Sequence, residues 1–185
     1  MAHIKLPENL PGISAGFAFR PETAVPMREL AHVLLYTSGR ETELSSRDRE
    51  LIAAFVSSRN ECRFCTLSHG AAATHLNGGD SSLLAEVRSD FQNADLSAKM
   101  KALLGIAAAV QVDGKNVTPE LVAKAREEGA TDLEIHDTVL IAAAFSMYNR
   151  YVDGLATIQP HDEGAYREMG VRLAENGYIP PPPQE

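Results

Sequence analysis

The chain lacks tryptophan, has only two cysteines among its 185 residues, and shows neither an excess of positive charge nor a long apolar run. Its 17 Lys plus Arg residues against 25 Asp plus Glu residues give a net charge of −8, which argues against electrostatic binding to nucleic acid. No apolar run approaches the roughly 20 residues of a membrane span. A hydrophobic content of 44% excludes disorder as the dominant state and leaves a globular domain.

The two cysteines, Cys62 and Cys65, stand three positions apart. The first residues of the sequence contain no apolar signal-peptide core, and we therefore expect a cytoplasmic protein. In that reducing compartment a structural disulfide is disfavoured, and so short a loop would constrain the unfolded chain very little. The cysteine pair therefore points to chemistry or to metal binding.

Strand patterns are nearly absent, and helix signals recur along the chain instead. Capping residues, apolar positions three or four apart and terminal Gly or Asn predict an all-α fold of about eight helices. Two capping boxes, Ser45 with Asp48 and Thr131 with Glu134, mark the clearest helix starts.

The two ends of the chain depart from this helical pattern. Residues 1–20 are punctuated by Pro and Gly, which predicts an extended N-terminal segment. Residues 178–185 include four consecutive prolines and predict a mobile tail. With these two additions, residues 1–185 are predicted to form a single domain.

An internal similarity links two apolar stretches that are 89 positions apart. The segment 51–54 aligns with 140–143, Ser57 with Ser146, and Asn60 with Asn149. A duplicated helical unit and two unrelated alanine-rich helices explain this similarity equally well. The cysteines occur only in the first copy.

Cys62, Cys65 and His69 form the group with the clearest chemistry. If the segment after Asn60 is helical, these side chains share one face, where the thiols can meet and the imidazole lies beside Cys65. Cys62 would lie in the first turn, where free N–H groups favour a thiolate. Glu50, in the preceding helix, could return to His69 across an antiparallel turn and orient the imidazole as a base for the thiol.

Other interpretations of these residues remain open. A bare Cys-x-x-Cys also occurs in zinc sites, for which His69, His75 and Glu50 are the nearby additional ligands. No second Cys-x-x-Cys exists, and Thr66 stands where haem attachment requires His. An ion-paired Glu50 and a packed His69 would be inert structure.

The string Glu50-x11-Cys62-x2-Cys65-x3-His69 resembles the signature of the AhpD-like alkylhydroperoxidases, within the carboxymuconolactone decarboxylase-like superfamily. The flanking words resemble the branch labelled "peroxidase-related": Arg-Asn-Glu-Cys, Phe-Cys-Thr and Asn-Arg-Tyr-Val-Asp. The resemblance extends from about residue 26 to residue 177. It implies an AhpD-like helical fold with a duplicated core, assembled as a homo-oligomer. The apolar stretches 51–56 and 139–145 also favour such an oligomer.

The resemblance also implies a role for each residue. Cys65 would be the peroxidatic cysteine, which attacks the O–O bond of a hydroperoxide and becomes a sulfenic acid. Cys62, nearer the helix start and more accessible, would resolve it as a disulfide. Glu50 and His69 would relay protons. A lipoyl or thioredoxin-like partner would reduce the disulfide, and no bound cofactor or metal would be needed.

One departure from the family pattern is Phe64, which stands where well-characterised members have a His directly before the second cysteine. If that His moves protons, this protein is slower with peroxides or acts on another substrate. The apolar replacement favours an alternative in which the dithiol toggles as a redox sensor or binding protein without turnover. A zinc-holding structural module is the third alternative.

Overall fold

The computed structural model of the protein describes residues 1–36 and 44–180. Within these ranges the chain forms nine α-helices and no strand, which confirms the predicted all-α fold. The helices are α1 (Ile13–Phe19), α2 (Pro21–Leu35), α3 (Ser46–Arg59), α4 (Arg63–Leu76), α5 (Ser82–Asp90), α6 (Ala98–Val112), α7 (Pro119–Glu127), α8 (Asp132–Gly154) and α9 (Glu163–Asn176). A 3₁₀ turn, Gly114–Asn116, connects α6 to α7. None of the helices in the described part of the chain has both the length and the apolar character that crossing a bilayer requires.

Both predicted capping boxes begin helices. Ser45 accepts a hydrogen bond from the Asp48 amide at 3.2 Å and caps α3. Thr131 accepts from the Glu134 amide, and the Glu134 carboxylate in turn accepts from the Thr131 amide at 2.8 Å. The bond at Ser45 and the two reciprocal bonds between Thr131 and Glu134 satisfy amides that have no partner inside the helix.

The prediction for the N-terminal segment was wrong in part, because residues 13–19 form α1 rather than an extended chain. Ala15 and Phe17 of α1 are buried, and the helix packs on α2 and α8. The amide of Gly12, which precedes α1, donates to the Ile158 carbonyl at 2.8 Å. These are tertiary interactions, which the local frequency of Pro and Gly does not reveal. Of the predicted tail, residues 181–185 lie outside the described residues.

Helix α3 lies at the centre of the fold. Every residue from Arg49 to Ser57 is buried, and the helix contacts α2, α4, α5, α6 and α8. A helix that is surrounded on all sides needs partners for any charge it carries. Arg49 finds them in the Leu34 carbonyl at 3.0 Å and the Asp137 carboxylate at 2.7 Å.

The 89-residue repeat corresponds to a reciprocal contact between α3 and α8. Asn60 donates to the Asn149 side chain at 2.8 Å and to Ser146 at 3.4 Å, and Asn149 donates to Ser57 at 3.0 Å. Each Asn therefore bonds the Ser of the other copy and the Asn equivalent to itself. Contacts between equivalent positions are typical of two-fold related units, and they favour duplication over chance similarity.

The two copies diverge at the end of α3. Glu61 has a positive φ of 59°, and its amide donates to the Ser58 carbonyl at 3.1 Å while the Cys62 amide donates to Ser57 at 3.0 Å. This pair of bonds is the Schellman motif, which ends α3 and reverses the chain. Cys62 consequently occupies the N-cap position, just before α4. It does not lie in the first turn of the helix as predicted. Helix α8 continues without a break over the equivalent positions.

Helix α4 is held between α3 and α9 at close range. A Cβ atom added to Gly170 of α9 would lie 2.5 Å from the Ala71 carbonyl carbon and 2.6 Å from the Ala72 amide nitrogen of α4. Only glycine permits this approach of two backbones.

We expect Gly170→Ala to lower the free energy of unfolding by about 1–3 kcal/mol, because α4 and α9 must separate to admit the methyl group. Gly105→Ala is the matched control, since a Cβ at Gly105 in α6 meets nothing closer than 4.0 Å. That substitution should raise the stability by about 0.5–1 kcal/mol through helix propensity. Urea unfolding measures both, and equal effects of the two substitutions would contradict the close packing.

Candidate active site

The two thiols lie together at the start of α4 and are buried. Cys62 precedes the helix and Cys65 occupies its first turn, with exposed fractions of 0% and 3%. Both are free thiols, and their side chains form a hydrogen bond to each other. The prediction that Cys62 is the more accessible cysteine was wrong, because Cys62 belongs to a buried cluster with Cys65, Phe64, Val152 and Tyr166.

Two residues of α8 contact this dithiol, and the sequence analysis, which quoted them as the first and last residues of the string Asn-Arg-Tyr-Val-Asp, did not assign them to the site. Asn149 forms a side-chain hydrogen bond with Cys65, and Asp153 accepts one from Cys62. They are four positions apart on one helix and therefore share a face. Their position beside the cysteines follows from the contact between the repeats, in which Asn149 pairs with Asn60.

The neighbours of Cys65 oppose its ionisation on balance. The hydrogen bond that the Cys65 thiol donates to Cys62 is the largest cause that raises the pKa of Cys65, followed by burial and the charge of Cys62. The hydrogen bond from Asn149 lowers that pKa but does not offset the rest. The pKa of Asp153 is raised by burial and lowered by the Cys62 donor. Cys65 therefore rests as a thiol, and a base must remove its proton before it can act as a nucleophile.

A carboxylate–imidazole pair joins α3 to α4, the helix that carries Cys65. Oε2 of Glu50 is 2.8 Å from Nδ1 of His69, and the Glu50 side chain is 2% exposed against 12% for His69. The turn after α3 thus returns the chain as the spacing predicted. Phe145 packs edge-on against the imidazole, with ring centroids 4.6 Å apart. Since Nδ1 is engaged by Glu50, Nε2 is the nitrogen left to exchange a proton.

Tyr178, from the segment predicted to be a tail, completes this pair. Its hydroxyl donates to Oε1 of Glu50 and lies 3.2 Å from Nδ1 of His69, and its ring stacks on the imidazole. Burial, and then the Glu50 charge, raise the pKa of Tyr178 well above its usual value, so the phenol remains a donor. No local sequence signal marks this residue.

Helix α2 holds the segment that carries Tyr178. The Tyr178 amide donates to His32 at 3.3 Å, and the Tyr36 hydroxyl donates to the Glu175 carbonyl at 2.9 Å. Gly177 has a φ of 69°, and a Cβ there would lie 2.5 Å from His32. Glycine is therefore required for the turn that directs Tyr178 toward Glu50.

The structure brings the four predicted residues to one region without joining them all. Among the described residues, no hydrogen bond connects His69 to either thiol, although Cys65 and His69 lie on consecutive turns of α4. The last link of the predicted relay thus requires a bridging molecule such as the substrate or a water.

A cleft of about 570 Å³ opens beside His69. Residues of α1, α2 and α9 line it, together with Phe64, Ser68, His69 and Tyr178. Phe64 also belongs to the buried cluster that contains both cysteines, so it links the cleft to the surroundings of the dithiol. A Cβ at Gly12 would overlap the Phe64 ring, which shows how closely the N-terminal segment covers it.

The described ranges contain no group of three or more His, Cys, Asp or Glu side chains placed to hold a metal ion. Glu50 and His69 bond to each other, and His75 faces Glu175 at 3.2 Å. In the part of the chain that the structure describes, the ligand set that a zinc module would require is therefore not assembled around the thiols.

Solved structures resemble this chain in fold and in sequence. An uncharacterized peroxidase-related protein from Ralstonia eutropha JMP134, with an alkylhydroperoxidase AhpD core, is 25% identical with a TM-score of 0.75, over 87% of this chain and 81% of that one. An uncharacterized peroxidase-related protein from Silicibacter sp. TM1040 is 27% identical with a TM-score of 0.74, over 85% and 78%. The chain has the AhpD-like fold of these peroxidase-related proteins. The resemblance inferred from the Glu50 to His69 string is thereby confirmed.

A third AhpD-like structure extends the comparison of the fold alone. A protein of unknown function from Agrobacterium tumefaciens is 19% identical with a TM-score of 0.66, over 80% of this chain and 97% of that one. No protein-family model and no curated protein matches the sequence.

We expect two substitutions beside Cys65 to shift its pKa in opposite directions. Cys62→Ala should lower it, because the largest cause that raises it is removed, whereas Asn149→Ala should raise it. The pH dependence of the Cys65 Cβ chemical shift, in protein with isotopically labelled cysteine, measures both. Shifts of the same sign would contradict this account of the thiol's surroundings.

Proposed function

We propose that the protein is a thiol-dependent peroxidase that reduces organic hydroperoxides. The observation that carries the proposal is the placement of a buried Glu50–His69 pair one helical turn from Cys65, which in turn bonds a second thiol. A base, a nucleophile and a resolving thiol are the three groups that the reaction requires. The peroxidase-related proteins of similar fold support the same class of activity.

In the first step, His69 accepts the proton of the Cys65 thiol through a bridging water or the substrate, and Glu50 stabilises the imidazolium that forms. The thiolate attacks the outer oxygen of the hydroperoxide, which breaks the O–O bond and forms the Cys65 sulfenic acid. The alkoxide leaves with the proton from His69 and becomes the alcohol. The sulfur loses two electrons, and the peroxide gains them.

In the second step, Cys62 attacks the sulfenic acid of Cys65 and a disulfide forms with loss of water. Asp153 is placed to take the proton of Cys62, because it already accepts a hydrogen bond from that thiol. An external dithiol then returns two electrons and two protons to the pair. Since both sulfurs are buried, a slender lipoyl arm would reach them more readily than a thioredoxin-like surface would. A homo-oligomer remains a prediction.

A redox sensor without turnover is the second candidate function. The burial of both thiols and the apolar Phe64 at the edge of the cleft favour it, since they restrict access by a reductant. Such a protein would form the disulfide once per chain and would not cycle with any dithiol.

Purified protein should consume cumene hydroperoxide when dihydrolipoamide is supplied, and Cys65→Ser should abolish the reaction. Cys62→Ser should permit one turnover and leave a sulfenic acid, because the resolving thiol is missing. Glu50→Gln should slow disulfide formation by about tenfold or more, since the imidazolium loses its counter-charge. Stopped-flow assays and mass spectrometry measure these effects. An unchanged rate in Cys65→Ser would overturn the proposal, and a single turnover in the native protein would favour the sensor.

Tyr178→Phe should lower the peroxidase rate by about tenfold, because a hydrogen bond to the buried Glu50 carboxylate is lost. Tyr36→Phe is the matched control, since it removes a hydroxyl that holds the same segment without contacting Glu50. Its effect on the rate should stay below about threefold. Equal losses in the two variants would mean that Tyr178 only anchors the segment.

A further inference from the structure

Two arginines line the cleft beside His69. Arg28 comes from α2 and Arg172 from α9, on walls that are otherwise largely apolar. Burial, and then the charge of Arg172, lower the pKa of Arg28, so the two cations are close enough to repel each other. An anion bound in the cleft would reduce this repulsion.

Across residues 1–36 and 44–180, the side chains of Arg28 and Arg172 form no ion pair and no hydrogen bond. The Arg28 guanidinium lies over the Phe17 ring at 4.9 Å from its centroid. Such stacking occupies the face of the guanidinium and leaves its N–H groups, which lie in the plane, free to bind. Glu29 also lines the cleft, and one exposed carboxylate leaves the arginine pair with a net positive charge.

The rest of the cleft suits an apolar chain. Ile13 and Phe17 of α1, Ala24 and Val25 of α2, and Met169 and Leu173 of α9 face it. Its volume of about 570 Å³ lies within the usual range for small-molecule sites, which are mostly apolar with a few placed polar groups.

We propose that this cleft binds an organic acid with an apolar chain, whose carboxylate is held by Arg28 and Arg172. Two guanidinium groups match the geometry of a carboxylate, and the apolar walls cover the chain. If the protein is the peroxidase proposed above, its substrate is a hydroperoxy carboxylic acid whose peroxide group points toward His69. The chemistry of the cleft thereby selects fatty-acid-like hydroperoxides over small neutral ones.

Binding is tested first, without any reaction. Calorimetry with octanoate and with methyl octanoate compares ligands that differ in the negative charge, and octanoate should bind about tenfold or more tightly. Arg28→Met and Arg172→Met should each remove most of this preference, and added salt should weaken octanoate binding. Arg167→Met is the matched control, because Arg167 is an exposed residue of α9 that does not line the cleft. Equal binding of octanoate and its methyl ester would overturn the proposal. A loss of octanoate binding in Arg167→Met as large as in the Arg28 and Arg172 variants would also overturn it.

Turnover separates this proposal from the proposed function. A hydroperoxy fatty acid should be reduced with a kcat/KM about tenfold above that of its methyl ester, and Arg28→Met should abolish the difference while sparing the ester. Reduction of both compounds at equal rates would leave the peroxidase standing and refute the carboxylate site. Octanoate binding that depends on Arg28 and Arg172, with no reduction of either peroxide, would support the site and refute the peroxidase.

Discussion

The site depends on the cost of burying the Glu50 carboxylate in the central helix. A carboxylate that is 2% exposed is tolerated only when donors replace the water it has lost. His69 supplies one donor from α4 and Tyr178 another from the segment after α9. Removing one partner of a buried charged pair typically lowers the stability of the fold by about 3–5 kcal/mol. The contacts that stabilise the fold are therefore the same contacts that position the candidate base. The imidazole is oriented because the carboxylate has few other ways to be satisfied.

The packing of α4 extends this constraint to the thiols. Helix α3 holds one side of α4 through the turn at Glu61, and α9 presses on the other through Gly170. With both sides fixed, Cys65 and His69 keep the relation that their spacing sets. Asn149 on α8 adds a third support, since it bonds Cys65 and the end of α3 together.

The parts of the site that follow a local rule could be predicted from the sequence. The spacing of Cys65 and His69 on one helix, and the return of Glu50 across a short turn, follow from helix geometry. Tyr178 could not be predicted, because it contacts Glu50 across 128 positions and no local pattern after α9 indicates such a contact. The cap position of Cys62 was missed because Glu61 adopts a left-handed conformation that Gly or Asn usually marks. Helix α1 was missed because burial of Phe17, rather than its own sequence, stabilises it.

The exchange of hydrogen bonds between Asn60 and Asn149 has a consequence for how such a molecule arises. A helical unit that recognises its own copy through the same Ser and Asn could pair just as well with a second chain. Fusion of two such units within one gene would then allow one half to break its helix and acquire the cysteine pair, while the other half kept a continuous helix that supports it. The observed difference between the two copies agrees with this account, because the chain turns between α3 and α4 in the first copy and α8 is continuous in the second.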